Sequence, residues 1–268
     1  MKIASFNVNS INARLPRILD WFDRARPDVC VLQEIKCVDE KFPYAEFEER
    51  GYNIHVHGQK TYNGVALLSK HPFDEPRKGL PGKDPDDQSR YIEAFVTPKG
   101  ATPVRVAGVY APNGNPAPGP KFDYKLQWLK RLKAHAKELL AYEEALVIAG
   151  DFNVIPQAED VHDPKAWAAD ALFLPESRAA FREILYLGLT DAIRQIHPSK
   201  TLYTFWDYQG GAWEKDTASA STICCCRRRP PTASRTPAST APSAARKSPR
   251  TMFRFGSSSP EVLLFAKR

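Results

Sequence analysis

Ala145-Leu146-Val147-Ile148-Ala149-Gly150-Asp151-Phe152-Asn153 is an apolar run that stops abruptly on polar residues. Five apolar residues in a row, without alternation, read as a strand buried on both faces. Asp151 and Asn153 then stand where that strand gives way to a loop. In α/β sheets, ligands bind at the carboxyl ends of strands. The fold class and the candidate site can both be read outward from this one stretch.

The same arrangement recurs three times towards the N-terminus. Residues 3–7 form a short strand candidate that delivers Asn7 and, beyond it, Asn9. Residues 28–34 read as a second buried strand, with Glu34 at its end. Val104–Tyr110 is a third, followed by Asn113. A single polar residue at a strand end is an ordinary loop residue. Four strand ends offering carboxylate, amide and phenol oxygens together are a stronger signal. Glu34 and Asp151 suit a hard cation such as Mg²⁺, which takes a few carboxylates and keeps water and phosphate oxygens as its other ligands.

Between these strands the pattern is mixed. Leu15, Ile18, Leu19 and Phe22 follow helical spacing, as do Phe122, Leu126, Leu129, Leu132 and Leu139. Residues 175–187 read as a helix stopped by Gly188. Residues 52–57, 64–69 and Tyr91–Val96 read as further strands. Strands and helices interleaved in this way predict a layered α/β domain over residues 1–217.

After Thr217 the texture changes. Ser, Thr, Ala, Pro and Arg supply 36 of the last 51 residues, and no periodicity returns before residues 261–265. Such a composition does not bury enough apolar surface to fold alone, so 218–268 is expected to be a separate, disordered basic tail. It also carries the charge. Ten of the 38 Lys/Arg and one of the 31 Asp/Glu lie in it, which leaves 28 basic and 30 acidic residues, a net charge of −2, in 1–217. The overall +7 is therefore no argument for nucleic-acid binding by the folded part.

Five cysteines are present, with Cys224, Cys225 and Cys226 adjacent and no CxxC spacing, which argues against a zinc site. Cys30 reads as a core thiol, while the spacing assigns Cys37 no role. No apolar run is long enough for a membrane helix, and the first residues are already strand-like rather than a signal peptide. A cytoplasmic monomer is the plain expectation.

Taken in order, Ser5-Phe6-Asn7-Val8-Asn9, Leu32-Gln33-Glu34-Ile35-Lys36, Gly64-Val65-Ala66-Leu67-Leu68-Ser69, Tyr110-Ala111-Pro112-Asn113 and Gly150-Asp151-Phe152-Asn153 resemble the successive motifs of the exonuclease III family, within the endonuclease/exonuclease/phosphatase superfamily. Phe205-Trp206-Asp207-Tyr208 is similar to that family's aromatic segment near the damaged nucleotide. The likeness spans about residues 1–217. It implies a four-layer sandwich of two packed mixed β-sheets flanked by helices, α/β (α+β) in class. It also implies Mg²⁺-dependent phosphodiester hydrolysis, with Mn²⁺ as a substitute ion, on duplex DNA at abasic sites and 3′ ends.

The resemblance carries roles with it. Glu34 would bind the metal with Asn7 beside it. Asp151 would orient or deprotonate water, and Asn153 would hold that water or a phosphate oxygen. Tyr110 would contact the scissile phosphate, Asn113 and Arg90 the DNA backbone, and Phe205 and Trp206 a base-less sugar. Bland readings stay open beside these: Asn7 as a loop cap, Tyr110 as a core-edge aromatic, Trp206 and Trp213 as packing residues, Lys36 as a solvated lysine. His55, His57 and His71 read as surface residues, and Asp191 as a structural cap.

The family pattern also calls for an Ile-Asp strand and a Ser-Asp-His near the C-terminus. Neither is present: His197 is the last histidine, and Glu261 is the only acid after Asp216. The expected catalytic Asp–His pair is thus absent and the fold is expected to be incomplete at its C-terminus, with a strand edge left open. Back-translated and read one base earlier, residues 218–226 can give Gly-Ile-Arg-Ile-Asp-His-Leu-Leu-Leu. Residues 246–258 can give Pro-Gln-Lys-Pro-Ser-Asp-His-Val-Pro-Val-Trp-Val-Glu. Both missing motifs return in order, so a frameshift near Thr217 and an impaired enzyme are expected. The alternatives are a non-catalytic DNA-binding remnant anchored by the Arg-rich tail, and a superfamily phosphatase acting on another phosphoester.

Overall fold

The apolar runs are strands, and the central ones are covered on both sides, which is why they do not alternate. A computed structural model describes residues 1–82 and 86–196, and beyond them the strand segments 205–206, 218–219, 222–227, 251–252 and 261–265. In the first sheet, β1 (Lys2–Asn7) lies parallel to β2 (Val29–Gln33), which pairs antiparallel with β4 (Val65–Ser69), and β3 (Asn53–His57) forms the edge. In the second, β5 (Phe73–Lys78), β6 (Tyr91–Val96) and β7 (Val104–Tyr110) form an antiparallel meander, and β8 (Ala145–Asp151) runs parallel to β7.

Side chains sort by parity into three cores. Ile3, Val29, Val31, Val65 and Leu67 face Ile92, Val106, Val147 and Ala149 between the sheets. On the outer side of the first sheet, Ala4, Cys30, Leu32 and Leu68 meet Ile18 and Phe22 of α1 (Leu15–Ala25) and Phe47 of α2 (Tyr44–Glu48). On the outer side of the second, Ala107, Val109 and Ile148 meet Trp128, Leu129 and Leu132 of α3 (Pro120–Ala141) and Phe181 and Ile184 of α4 (Pro175–Leu185). The order helix, sheet, sheet, helix is the four-layer sandwich expected from the sequence. Each fully buried Leu, Ile or Phe contributes about 1.5–3 kcal/mol to holding these layers.

Several elements lie beyond what the sequence predicts. β5 is an exposed edge strand of charged residues, Asp74, Glu75, Arg77 and Lys78 among them. β9 (Leu189–Asp191) has only three residues. It leads into α5 (Ala192–Ile196), whose Ile193 and Arg194 amides are capped by the Asp191 carboxylate, as expected for that aspartate. His55 and His57 are not plain surface residues: their rings bond the carbonyls of Arg77 and Tyr91 across to the second sheet.

The segments after Thr217 bring the largest difference. β10 (Phe205–Trp206) pairs with β11 (Ala218–Ser219) in a small ladder. β12 (Thr222–Arg227) lies between β8 and β9, antiparallel to both. β13 (Thr251–Met252) pairs with β14 (Glu261–Phe265), which lies parallel to β1. Strands from 218–268 therefore stand beside β1 and β8, where the sequence leads one to expect open edges. The physical reason is local: Ile223–Cys226 and Val262–Phe265 are apolar, and a row of unpaired backbone groups on β8 or β1 accepts any such strand. Cys225 is fully buried in the core under α3 and α4.

Candidate active site

Both sheets deliver the carboxyl ends of a parallel strand pair to the same place. β1 and β2 are in register up to Asn7 opposite Gln33, with Glu34 next. β7 and β8 are in register up to Tyr110 opposite Asp151. Because the sheets pack face to face, the two pairs of ends meet across the sandwich. Asn7 marks the junction: its Nδ2 donates to Glu34 Oε1 at 2.7 Å and to Asp151 Oδ2 at 2.9 Å. Asn7, Glu34 and Asp151 are 2%, 6% and 4% exposed, so this polar group is almost closed to water.

The backbone around it is shaped for close approach. Gly150 has φ +153°, and a Cβ there would stand 2.0 Å from the Val109 carbonyl oxygen, so no other residue fits directly before Asp151. Asn9, Glu34, Lys36 and Asn153 all adopt positive φ, between +43° and +54°. Asparagine tolerates that conformation, while Glu34 and Lys36 carry strain that their surroundings must hold. The Ser10 and Ile11 amides donate to the Glu34 and Ile35 carbonyls and pin the Glu34 turn.

The remaining candidates fill in around the two carboxylates. The Asn153 amide donates to Asp151 Oδ1 at 3.0 Å, and its Nδ2 donates to the Ala111 carbonyl at 2.8 Å. The Tyr110 hydroxyl bonds Glu34. Burial, then the Glu34 and Asp151 carboxylates, push that hydroxyl far above its ordinary value against the pull of Arg90, so it stays protonated and donates. The Arg90 guanidinium lies 4.8 Å over the Tyr110 ring and donates to the Tyr110 carbonyl. Lys36 Nζ stands 3.0 Å from Glu34 Oε2 and 2.6 Å from Asn9 Oδ1. Asn113 is exposed on the loop after β7.

The structure therefore gathers Asn7, Glu34, Tyr110, Asp151, Asn153 and Arg90 at one end of the sandwich. Phe205 and Trp206 are described as backbone only, so their side-chain roles lie outside the described residues, as does Trp213. Sequence reasoning missed Lys125, a fully buried lysine of α3 whose ammonium reaches the Asn113 and Asn153 carbonyls. The signal was there: Lys125 falls on the same helical stripe as Phe122, Leu129 and Leu132.

Among the described residues, no three His, Cys, Asp or Glu side chains converge on one point. The Glu34 and Asp151 carboxylates nonetheless offer oxygen acceptors at low exposure, a chemistry that fits a hard cation keeping most of its waters. No helix of the described residues is long and apolar enough to cross a membrane.

Comparison with known proteins gives a consistent picture. The profile of the Endonuclease/Exonuclease/phosphatase family matches residues 4–223. Exodeoxyribonuclease III of Haemophilus influenzae is 32% identical over 216 residues, covering 78% of this chain and 81% of its own. A 3′ phosphatase from Neisseria, solved bound to a product DNA hairpin, superposes with a TM-score of 0.80 at 36% identity, covering 84% of this chain and 86% of its own. An AP endonuclease from Archaeoglobus fulgidus does so with a TM-score of 0.78 at 36% identity, covering 84% and 85%.

Proposed function

The chain belongs to the endonuclease/exonuclease/phosphatase family, and on that premise we propose that it is a DNA-repair nuclease of the exodeoxyribonuclease III type. Its substrate is duplex DNA, cut 5′ to abasic sites and degraded from 3′ ends. The observation that carries this reading is the Asn7 amide joining Glu34 and Asp151. Phosphodiester hydrolysis needs a site for a cation and a carboxylate to work on water, side by side, and this amide holds the two together.

Glu34, with Asn7 beside it, is the place for Mg²⁺. When bound, that ion withdraws charge from the anionic phosphodiester so that water can attack. The protein's own groups do the rest. Asp151 takes the proton from the attacking water, its carboxylate fixed on one side by Asn7 and on the other by the Asn153 amide. The protonated Tyr110 hydroxyl donates to a phosphate oxygen once it leaves Glu34. Arg90 holds the Tyr110 ring from its face, and exposed Asn113 meets the DNA backbone.

No Asp–His pair follows Thr217, so charge building on the phosphate lacks one donor, and cleavage by this chain is slow. The register of β12 bears on the cause. Thr222 lies opposite Asp151, and Thr222 is the position at which the alternative reading of the same codons places an aspartate. The second motif in that reading places its Asp–His at 251–252, which is β13. This supports a frameshift near Thr217, and sequencing the gene across codons 216–268 tests it.

The likeness to a 3′ phosphatase bound to DNA favours a second reading, removal of a 3′-phosphate from a DNA end by the same attack. Abasic duplex and nicked duplex bearing a 3′-phosphate, assayed side by side with Mg²⁺, separate the two. Release of inorganic phosphate without incision would replace the nuclease reading with the phosphatase one.

A further inference from the structure

Lys125 lies on the inner face of α3 with no exposed surface. Its Nζ donates to three backbone carbonyls: Asn113 at 3.0 Å, Asn153 at 2.5 Å and Ala171 at 3.1 Å. An ammonium has three protons and three donors, so each is used and none is left over. The three acceptors belong to the loop after β7 and to the two ends of the long connection from β8 to α4.

The surroundings are built for this contact. Gly114 has φ +91°, and a Cβ there would stand 2.7 Å from Lys125 Cδ, so the loop after β7 wraps the lysine stem closely. Asn115 ties the same loop to the far end of that connection, donating to Asp170 Oδ2 and accepting from the Ala171 amide. Ser177 Oγ also donates to the Ala171 carbonyl. A leucine at this position, like its neighbours on the stripe, would cost less desolvation but would leave the Asn113 and Asn153 carbonyls without this donor and the Ala171 carbonyl with Ser177 alone.

We propose that Lys125 is a positioning residue for this site, a single buried cation that locks the loops carrying Asn113, Asn153 and Ala171 into one unit. The path to the chemistry is short. Lys125 holds the Asn153 carbonyl, the Asn153 amide holds Asp151 Oδ1, and Asp151 faces Asn7 and Glu34 across the sandwich. Burial lowers the ammonium towards about 7, opposed by the carboxylates of Asp170 and Asp151, while three carbonyl acceptors favour the charged form. The consequence for cleavage rests on the nuclease reading; the locking of the loops does not.

The test compares the full chain with Lys125→Met and Gly114→Ala. Backbone hydrogen exchange is followed over 111–115, 151–155 and 170–174, together with single-turnover cleavage of an abasic duplex and affinity for that duplex. Lys125→Met keeps the volume and removes the donors. Exchange should rise in all three segments while α3 keeps its protection, and cleavage should slow about tenfold with affinity within twofold. Gly114→Ala presses on the lysine and, 3.2 Å away, on Ala171 Cβ directly, so the rise that must pass through the lysine is the one in 151–155. If Lys125→Met does not fold, the glycine variant decides. Unchanged exchange, or a rise in Gly114→Ala that does not reach 151–155, overturns the lock. Raised exchange with an unchanged cleavage rate overturns the positioning role. No cleavage by the polypeptide read in the alternative frame after Thr217 sinks the nuclease reading, and the exchange result then decides the lock alone.

Discussion

The side-chain amide of Asn7 lies within hydrogen-bond distance of both Glu34 and Asp151, at 2.7 Å and 2.9 Å, and so joins carboxylates that come from different sheets. Two acids this close and this buried repel each other unless something donates between them. Asn7 is that donor. Asn7→Ala should therefore slow incision of an abasic duplex on the order of 100-fold. Stability should fall by about 1–3 kcal/mol in urea unfolding, the cost of leaving buried acceptors unmet. Incision within twofold of the parent's would remove Asn7 from the site.

Tyr110 makes a separable contribution. Its hydroxyl stays protonated because burial and the Glu34 and Asp151 carboxylates hold its proton. Tyr110→Phe keeps the ring under Arg90 and deletes the donor. Incision should slow by about 10- to 100-fold, with an unchanged melting temperature within a few degrees. An unaltered rate would make Tyr110 the core-edge aromatic that its position on β7 also allows.

Acid should loosen the fold through Glu93. Burial raises its carboxyl, but hydrogen bonds from His135 and Tyr91 and the charges of His135 and Arg105 outweigh that, and the net shift is downward from 4.5. The unfolded carboxylate takes up a proton near that ordinary value while the folded one still resists. The stability it contributes is complete above about 4.5 and is lost as pH falls through the lower folded value. Urea midpoints measured between pH 7 and 3 should fall more steeply for the parent than for Glu93→Gln. Equal slopes would mean that Glu93 is not held by these partners.

β12 carries a prediction of its own, because Cys225 is buried in the core under α3 and α4. Cys225→Asp places an unpaired carboxylate there and should cost about 3 kcal/mol or more. A variant as stable as the parent would mean that 222–227 does not fill the slot between β8 and β9. The same geometry changes how the tail should be dissected: cutting after Thr217 removes a central strand along with the Arg-rich charge.

What the sequence made legible follows from burial. The runs at 145–149 and 29–32 are apolar on both faces because both faces are covered, and their polar endings mark Asp151 and Glu34 as candidate site residues. β5 was not legible because its charged side chains face water, and β9 because three residues carry no period. β12 escaped because it has no turn signals and its cysteines lie in a Ser/Thr-rich stretch. Lys125 escaped because a lysine on an amphipathic helix reads as solvated; only its place on the apolar stripe says otherwise. Arg105 and Glu93 were passed over for the same reason, since a charge inside an apolar strand gives no hint of its partner.

The most direct measurement is incision of a synthetic abasic duplex with Mg²⁺, and again after chelation. It is made on this chain, on its Glu34→Gln variant, and on the polypeptide read in the alternative frame after Thr217. The account predicts slow incision by this chain that chelation and Glu34→Gln abolish, and incision about 100-fold faster when the Asp–His pair is restored. No incision by the restored chain, or equal incision by Glu34→Gln, would contradict it.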